Sequence, residues 1–303
     1  MLAPVLIFVY ARPEHTKQTI ESLSSNYLAS ETDLFIFSDA PKNEKSIEMV
    51  KLVRDYIDTI PDKKIFRSVK IIKSEVNKGL ANSIISGVSE IVKLNGQVIV
   101  LEDDLITSPD FLNYMNDALK FYENDKKIWS ISAYTFDLEF PDKYKSEIYL
   151  SYRACSWGWA TWKDRWDTVD WKVTDYKTFK KDKRLRDKFN RGGRDMSGML
   201  DAQIAGKIDS WAIRWCYSQF KSDMFTVYPR VSRVRNIGLD GSGTHSGIST
   251  RYDTTLNKST KKCEFDHPEL NDIILRLFKD RFGTRFEYFI IWNKILIKKM
   301  LRI

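Results

Sequence analysis

Cysteine is scarce in this chain of 303 residues: Cys155, Cys216 and Cys263 are odd in number and far apart. Such spacing builds neither a disulfide framework nor a metal cluster. It suits a reducing cytoplasm. Long apolar runs are missing as well, and no stretch approaches the ~20 residues that a membrane-spanning helix needs. The apolar opening, residues 1–10, has no basic region before it and no cleavage signal after it. Arg12-Pro13 follows at once, so the opening is expected to be a buried strand and not a signal peptide. No G-x-x-x-x-G-K-[ST] is present, which excludes the standard phosphate-loop ATPase. The absence of G-x-G-x-x-G weakens a dinucleotide fold. Zinc-knuckle spacing, RNA-recognition signatures and long basic tracts are also lacking, so nucleic acid is not the expected partner.

What is present describes an ordinary folded protein, with 43% hydrophobic and 30% charged residues. Lys and Arg outnumber Asp and Glu by 49 to 41, a formal charge of +8 that suits an anionic partner such as a nucleotide phosphate or an acidic membrane surface. Nine Trp is a high number. Indole faces can bind sugars, but packing in a core accounts for most of them.

Up to residue 133 the pattern alternates strand and helix. Apolar runs at 5–10, 34–37, 69–72, 98–101 and 128–132 predict strands. Helical periodicity falls at 13–23, 44–59, 79–94 and 109–122. This order implies an α/β fold with a mostly parallel sheet flanked by helices. From 134 to 250 the pattern is irregular and Trp-rich, with a basic stretch at 172–195 expected to form exposed helices or a mobile excursion. The pattern therefore divides the chain at 1–133, 134–250 and a helical tail at 251–303.

Ligands of parallel sheets bind beyond the carboxyl ends of the strands. Arg12, Asp39, Asn77 and Glu102-Asp103-Asp104 each lie just after an expected strand. Three consecutive acids repel one another unless a cation or hydrogen-bond donors compensate them. A hard divalent ion would do so and would bridge the two phosphates of a nucleotide; a solvated acidic turn before the next helix is the alternative. Asp39 can accept a hydrogen bond from a uracil or thymine imide N–H, or simply form the turn before Pro41. Arg12 can reach a base or a diphosphate, or stand as a surface arginine. Asn77-Lys78-Gly79 opens a helix where backbone N–H groups and a lysine suit an anion, or merely caps that helix. His245 ends a glycine-dense run from Gly238 and can offer an imidazole to a metal or phosphate, or lie exposed.

Together these residues resemble the GT-A glycosyltransferases, in particular the N-acetylglucosaminyltransferase I group and its bacterial relatives. The resemblance spans about residues 4–250. It rests on Val100-Leu101-Glu102-Asp103-Asp104, on Val9-Tyr10-Ala11-Arg12 and on Asn77-Lys78-Gly79. It continues in Gly158-Trp159 and in Pro229-Arg230-Val231-Ser232-Arg233 with Thr244-His245. It implies a nucleotide-sugar donor, most readily UDP- or dTDP-linked, a donor-binding half at 1–133 and an acceptor-side, catalytic half at 134–250, and Mn²⁺ or Mg²⁺ held by Asp104 and His245. Glu102 and Asp103 would face the donor's sugar and ribose, Asp39 would read the base, and Arg12, Asn77, Lys78 and Gly79 would complete the donor site. The glycine run would order over bound donor. The family's catalytic base lies in a Trp-Asp-Asp-Trp-like segment. Here the residue after Trp211 is Ala212, so Asp209 is the first candidate, Asp195 the second and Asp201 the third.

The implied reaction is an inverting sugar transfer to a saccharide or lipid-linked saccharide, as in bacterial surface-polysaccharide assembly. In the tail, Phe289, Trp292, Leu296, Met300 and Ile303 share one helical stripe, with Lys294, Lys298 and Arg302 opposite. That pattern suits either an interfacial helix on the inner face of the plasma membrane or a core-packed helix with a solvated basic face. A sugar-1-phosphate nucleotidyltransferase is the alternative enzyme, but the segment after the first strand lacks its glycines. A non-catalytic carbohydrate-binding scaffold is the alternative without chemistry.

Overall fold

The computed structural model describes residues 2–241 and 250–282. The alternation expected of the first 133 residues is present. Strand β1 (Val5–Val9) leads to helix α1 (Pro13–Ser24), β2 (Asp33–Ser38) to α2 (Glu44–Asp58), and β3 (Ser68–Lys73) to α3 (Leu80–Asn95). Then come β4 (Gln97–Glu102), the short β5 (Leu105–Thr107), α4 (Phe111–Tyr122) and β6 (Ile128–Ser132). Proline at the first position of α1 lacks an N–H that would have no partner there, so it starts the helix without loss.

The second half is more regular than its sequence suggests. It supplies β7 (Ile148–Ser151), β8 (Trp159–Trp162) and a single turn, α5 (Lys163–Trp166). The basic stretch forms two short helices, α6 (Tyr176–Lys181) and α7 (Lys183–Phe189). Next come α8 (Met196–Ile204), α9 (Trp211–Lys221), β9 (Phe225–Pro229), β10 (Val234–Asn236) and, near the end of the described chain, α10 (Asp272–Asp280).

Eight strands make one sheet in the order β3-β2-β1-β4-β8-β6-β9-β7. From the pairings, six run one way, and only β7 and β8 oppose them. The fold is thus α/β with a mostly parallel sheet, as expected. Strand β8 from the second half lies between β4 and β6 of the first, so strands from both sides of residue 133 share this sheet.

The pleat decides which face each side chain joins. In β1, Val5, Ile7 and Val9 pack with Ile20, Leu23, Val53 and Leu112 on one face. Leu6 and Phe8 pack with Ile84, Val88 and Ile91 of α3 on the other. Strand β4 divides in the same way, Ile99 and Leu101 against Val98 and Val100. Both strands are covered on both faces, which is why they are unbroken apolar runs. Each fully buried Ile, Val or Leu here contributes roughly 1.5–3 kcal/mol. The second face also takes most of the tryptophans. Trp129, Trp159, Trp166, Trp211 and Trp215 pack there, with Trp171 partly buried against them. The high Trp content among the described residues is therefore mainly core.

Candidate functional site

Strands β2, β1 and β4 are parallel neighbours, so their carboxyl ends lie side by side. The residues that follow them form two connected corners. At the first, β4 runs into Glu102-Asp103-Asp104 and β1 into Arg12. The Arg12 guanidinium donates to Asp103 Oδ1 and, at 2.9 Å, to Asp104 Oδ2. Asp103 Oδ2 also accepts from the Tyr10 N–H at 3.4 Å.

The backbone of this acidic turn is pinned from beneath. The buried Thr19 hydroxyl of α1 donates to the Asp103 carbonyl at 2.9 Å and accepts from the Leu105 N–H at 3.0 Å. From above, β10 pairs with β5, and the Ile237 N–H donates to the Asp104 carbonyl at 2.9 Å. That pairing lays Gly238 directly on the acids. A Cβ at Gly238 would stand 2.1 Å from Asp104 Oδ2 and 2.7 Å from an Arg12 nitrogen, so a larger residue there would displace the Asp104–Arg12 pair.

The charges act on one another. Burial works against the Arg12 charge, but the charges of Asp103 and Asp104 outweigh it and raise the guanidinium above its ordinary value. Glu102 has no ion-pair partner among the described residues, and Arg12 only partly opposes the upward shift of its carboxyl. Desolvation, then Asp104, then Asp103, pushes its carboxyl up to about 8. Asp104 Oδ1 is buried and accepts no hydrogen bond among the described residues, an orphaned carboxylate oxygen at the mouth of the sheet. Among the described residues no group of three or more His, Cys, Asp and Glu is placed to hold a metal ion. Any ion here would take one oxygen from Asp104 and need its other ligands from elsewhere.

The second corner centres on Asp39. Its Oδ1 accepts from the Ala40 N–H and the Lys78 N–H, each at 2.9 Å. Its Oδ2 accepts from the Gly79 N–H at 2.9 Å and from Asn77 Nδ2 at 3.2 Å. Asp39 thus clasps the Asn77-Lys78-Gly79 entry to α3, and both its oxygens are engaged within the protein. Gly79, at φ +75°, holds the left-handed turn that begins the helix, and the Asp209 carboxylate lies 3.7 Å from where its side chain would begin. Arg54 braces the corner, donating to the Asp39 carbonyl at 3.3 Å and the Ser74 carbonyl at 2.7 Å.

Of the three candidate bases, Asp209 alone reaches this corner. Its side chain is 57% exposed, with Arg214 at 3.9 Å. Asp195 is buried in a two-pronged ion pair with Arg153, at 2.8 and 2.9 Å, and Arg153 stacks on Phe282. Asp201 is held by Arg186 at 2.8 and 2.7 Å and by the Tyr176 hydroxyl at 3.0 Å. The Ser232-Arg233 pair does structural work: the Arg233 side chain lies against Asp110 and over the Tyr114 ring. Gly158 and Trp159 enter β8, with Trp159 in the core. His245, Thr244 and the tail stripe lie outside the described residues.

Sequence reasoning passed over Thr19, Arg54 and His15. His15 Nε2 lies 3.2 Å from Asp240 Oδ2, tying the first turn of α1 to the start of the glycine run. None of the three has a sequence signal, because each acts on an atom far along the chain.

The sequence model of the GNT-I family matches residues 88–198, just over a third of the chain, a segment that contains Glu102-Asp103-Asp104 and Gly158-Trp159. Over that segment the chain is similar to the GNT-I family. No curated protein matches the sequence. Among solved structures, the chain is similar to the mannosyltransferase PcManGT from Pyrobaculum calidifontis, in complex with GDP-Man and Mn²⁺, at 11% identity and TM-score 0.36, covering 54% of this chain and 46% of that one. It is similar to S. aureus TarS 1–349 at 10% identity and TM-score 0.38, covering 75% and 60%. The complex of that protein with UDP aligns at 14% identity and TM-score 0.32, covering 48% and 39%. The chain spans less than two thirds of the length of each, and likenesses at such TM-scores carry no argument about ligand or chemistry.

Proposed function

We propose that this chain is a GT-A-type glycosyltransferase that takes a UDP- or dTDP-sugar and passes the sugar, with inversion, to a saccharide acceptor in bacterial surface-polysaccharide assembly. One observation carries the reading. The ends of three adjacent parallel strands bring together an arginine, an acidic turn and a helix entry, with one carboxylate oxygen, Asp104 Oδ1, buried and unpartnered among the described residues. An unmatched buried acceptor is unfavourable by about 1–3 kcal/mol, more when charged, so it favours a ligand.

Asp104 fits a divalent ion of the kind bound by one or two carboxylates and the substrate's phosphates. Such an ion would stabilise charge building on the departing diphosphate. Arg12 holds Asp103 and Asp104 in place and adds positive charge beside them. Asp39 acts chiefly by ordering Asn77-Lys78-Gly79. To read a base directly it would have to release one of its protein donors. Asp209, exposed beside Gly79, takes the proton from the acceptor hydroxyl as that oxygen attacks the anomeric carbon.

The test is a titration of UDP, and of a panel of nucleotide sugars, with and without Mn²⁺, followed by melting temperature and by donor hydrolysis. The expected result is a UDP-induced rise that is larger with Mn²⁺. No response to any nucleotide would sink the proposal. The ion pairs of Arg12 with both acids favour a second reading, a cation-independent transferase in which Arg12 faces the diphosphate. Full turnover in EDTA selects it.

A further inference from the structure

Positive charge is concentrated in one described stretch of the chain. Residues 172–194 hold ten Lys and Arg against three Asp, a net +7, leaving +1 for the rest of the chain. Two of the three acids in this stretch are engaged by other partners. Asp175 is taken by Lys221 and the Tyr217 hydroxyl, and Asp182 caps α7 by accepting from the Arg184 and Leu185 N–H groups. Lys177, Lys181, Lys183 and Arg184 are exposed, and no ion pair joins them to an acid among the described residues.

These side chains shape a surface. A shallow depression of about 590 Å³ is lined by Lys177, Thr178, Lys181, Asp182, Lys183 and Arg184. A second, of about 240 Å³, shares Lys181 and Lys183 with it and extends to Lys180, Asp187 and Arg186, the last paired with Asp201. Two hollows with shared walls form a trough, which suits an extended chain better than a single small anion.

The trough is rigidly joined to the transfer site. Phe179 of α6 and Phe189 of α7 pack on Tyr217 and Phe220 of α9. Arg214 of α9 donates to the Trp171 carbonyl at 3.2 Å. Helix α9 begins just after Asp209 and runs for 11 residues, about 16 Å at 1.5 Å per residue. The trough therefore lies about one helix length from the carboxylate beside Gly79.

We propose that this trough binds an anionic polysaccharide, a chain with regularly repeated carboxylate, sulfate or phosphodiester groups, and holds it as the acceptor. The acceptor role rests on the transferase reading above. Charge complementarity selects a polyanion. No large hydrophobic residue between 172 and 194 is exposed, so the patch lacks the apolar anchors of an interfacial membrane helix. Its hollows are lined without aromatics, so it lacks the stacking platforms of single-stranded nucleic-acid binders.

The test compares the full chain with its K177E/K181E/K183E/R184E variant, in binding to fluorescent dextran sulfate, neutral dextran and phosphatidylglycerol vesicles. Far-UV circular dichroism and melting check that the variant is folded, and wild-type binding repeated at high salt measures the electrostatic share independently. The wild type is expected to bind dextran sulfate and not neutral dextran, with a loss of about tenfold or more in the variant and at high salt. The UDP-induced melting shift should be the same in both proteins. Dextran sulfate binding unchanged in the variant, or insensitive to salt, overturns the proposal. Vesicle binding that is tighter than dextran sulfate binding and is lost in the variant also overturns it, in favour of a membrane surface. No nucleotide response in either protein, with polymer binding intact, overturns the transferase reading and with it the acceptor role, leaving a polyanion site.

Discussion

The two halves of the sheet differ in what they do. On one side of β4 lie β1, β2 and β3, all parallel, with Arg12, Asp39 and the acidic turn just beyond the strand ends. On the other lie β8, β6, β9 and β7, of mixed direction, against much of the tryptophan core. The parallel half collects polar groups at one edge because every strand ends on the same side. The mixed half cannot do this, and it supplies mass, buried ion pairs and, through α9, one exposed carboxylate. Donor chemistry is thus expected on the first side and acceptor chemistry across from it.

Substitutions can break that division. The largest effect is expected from Asp104→Ala, which removes the unpartnered oxygen and one anchor of Arg12: transfer should become undetectable, with the fold retained by circular dichroism. Measurable turnover would move the donor site off the parallel half. Asp209→Asn should lower kcat by ~10²–10⁴ and leave the UDP melting shift intact. An unchanged kcat would return the base role to another carboxylate.

Asp195→Asn tests the mixed half as scaffold. It leaves Arg153 buried beside a neutral partner and should reduce stability by ~3–5 kcal/mol in chemical denaturation. Loss of kcat without loss of stability would make Asp195 part of the chemistry. Thr19→Val should reduce stability by about 1–3 kcal/mol, because the buried Leu105 N–H loses its acceptor. It should also weaken donor binding, by loosening the acidic turn.

The last effect concerns pH. Glu102 is raised to about 8 in the folded chain, so between its unfolded value and about 8 the folded state holds more protons than the unfolded one, and stability falls as pH rises through that window. Glu102→Gln should flatten that slope in EDTA. An unchanged slope would show that Glu102 is not its source.

The parallel half was legible in the sequence because its strands are unbroken apolar runs between segments of helical period. The mixed half was not. Strand β8 is Trp-Ala-Thr-Trp with a buried threonine, β7 has four residues, and β9 ends in proline. None has the length or alternation that marks a strand by itself; their pairing partners define them. The site divides in the same way. The acids and Arg12 announce themselves after strands, whereas Thr19 and Arg54 work on backbone atoms and leave no pattern. Asp195 and Asp209 look alike in sequence, and only burial separates a paired scaffold carboxylate from an exposed one. Asp39 was expected on the base, and the four N–H groups it gathers come from positions 38 or more residues apart as well as from its neighbour Ala40.

The place of β8 has a consequence for how this chain can be made and cut. Until residue 162 has emerged and paired, β4 offers one bare edge to any other strand and β6 has no link to the sheet's first half. A nascent or truncated chain ending near residue 133 would carry Arg12 and the acidic turn, without β10 above them, on a sheet with a sticky side, prone to self-association. Completing the sheet is a long-range event, because β9 of the second half must return to pair with β6. The donor corner and the tryptophan core are therefore inherited together: no shorter piece of this chain is expected to keep one soluble without the other.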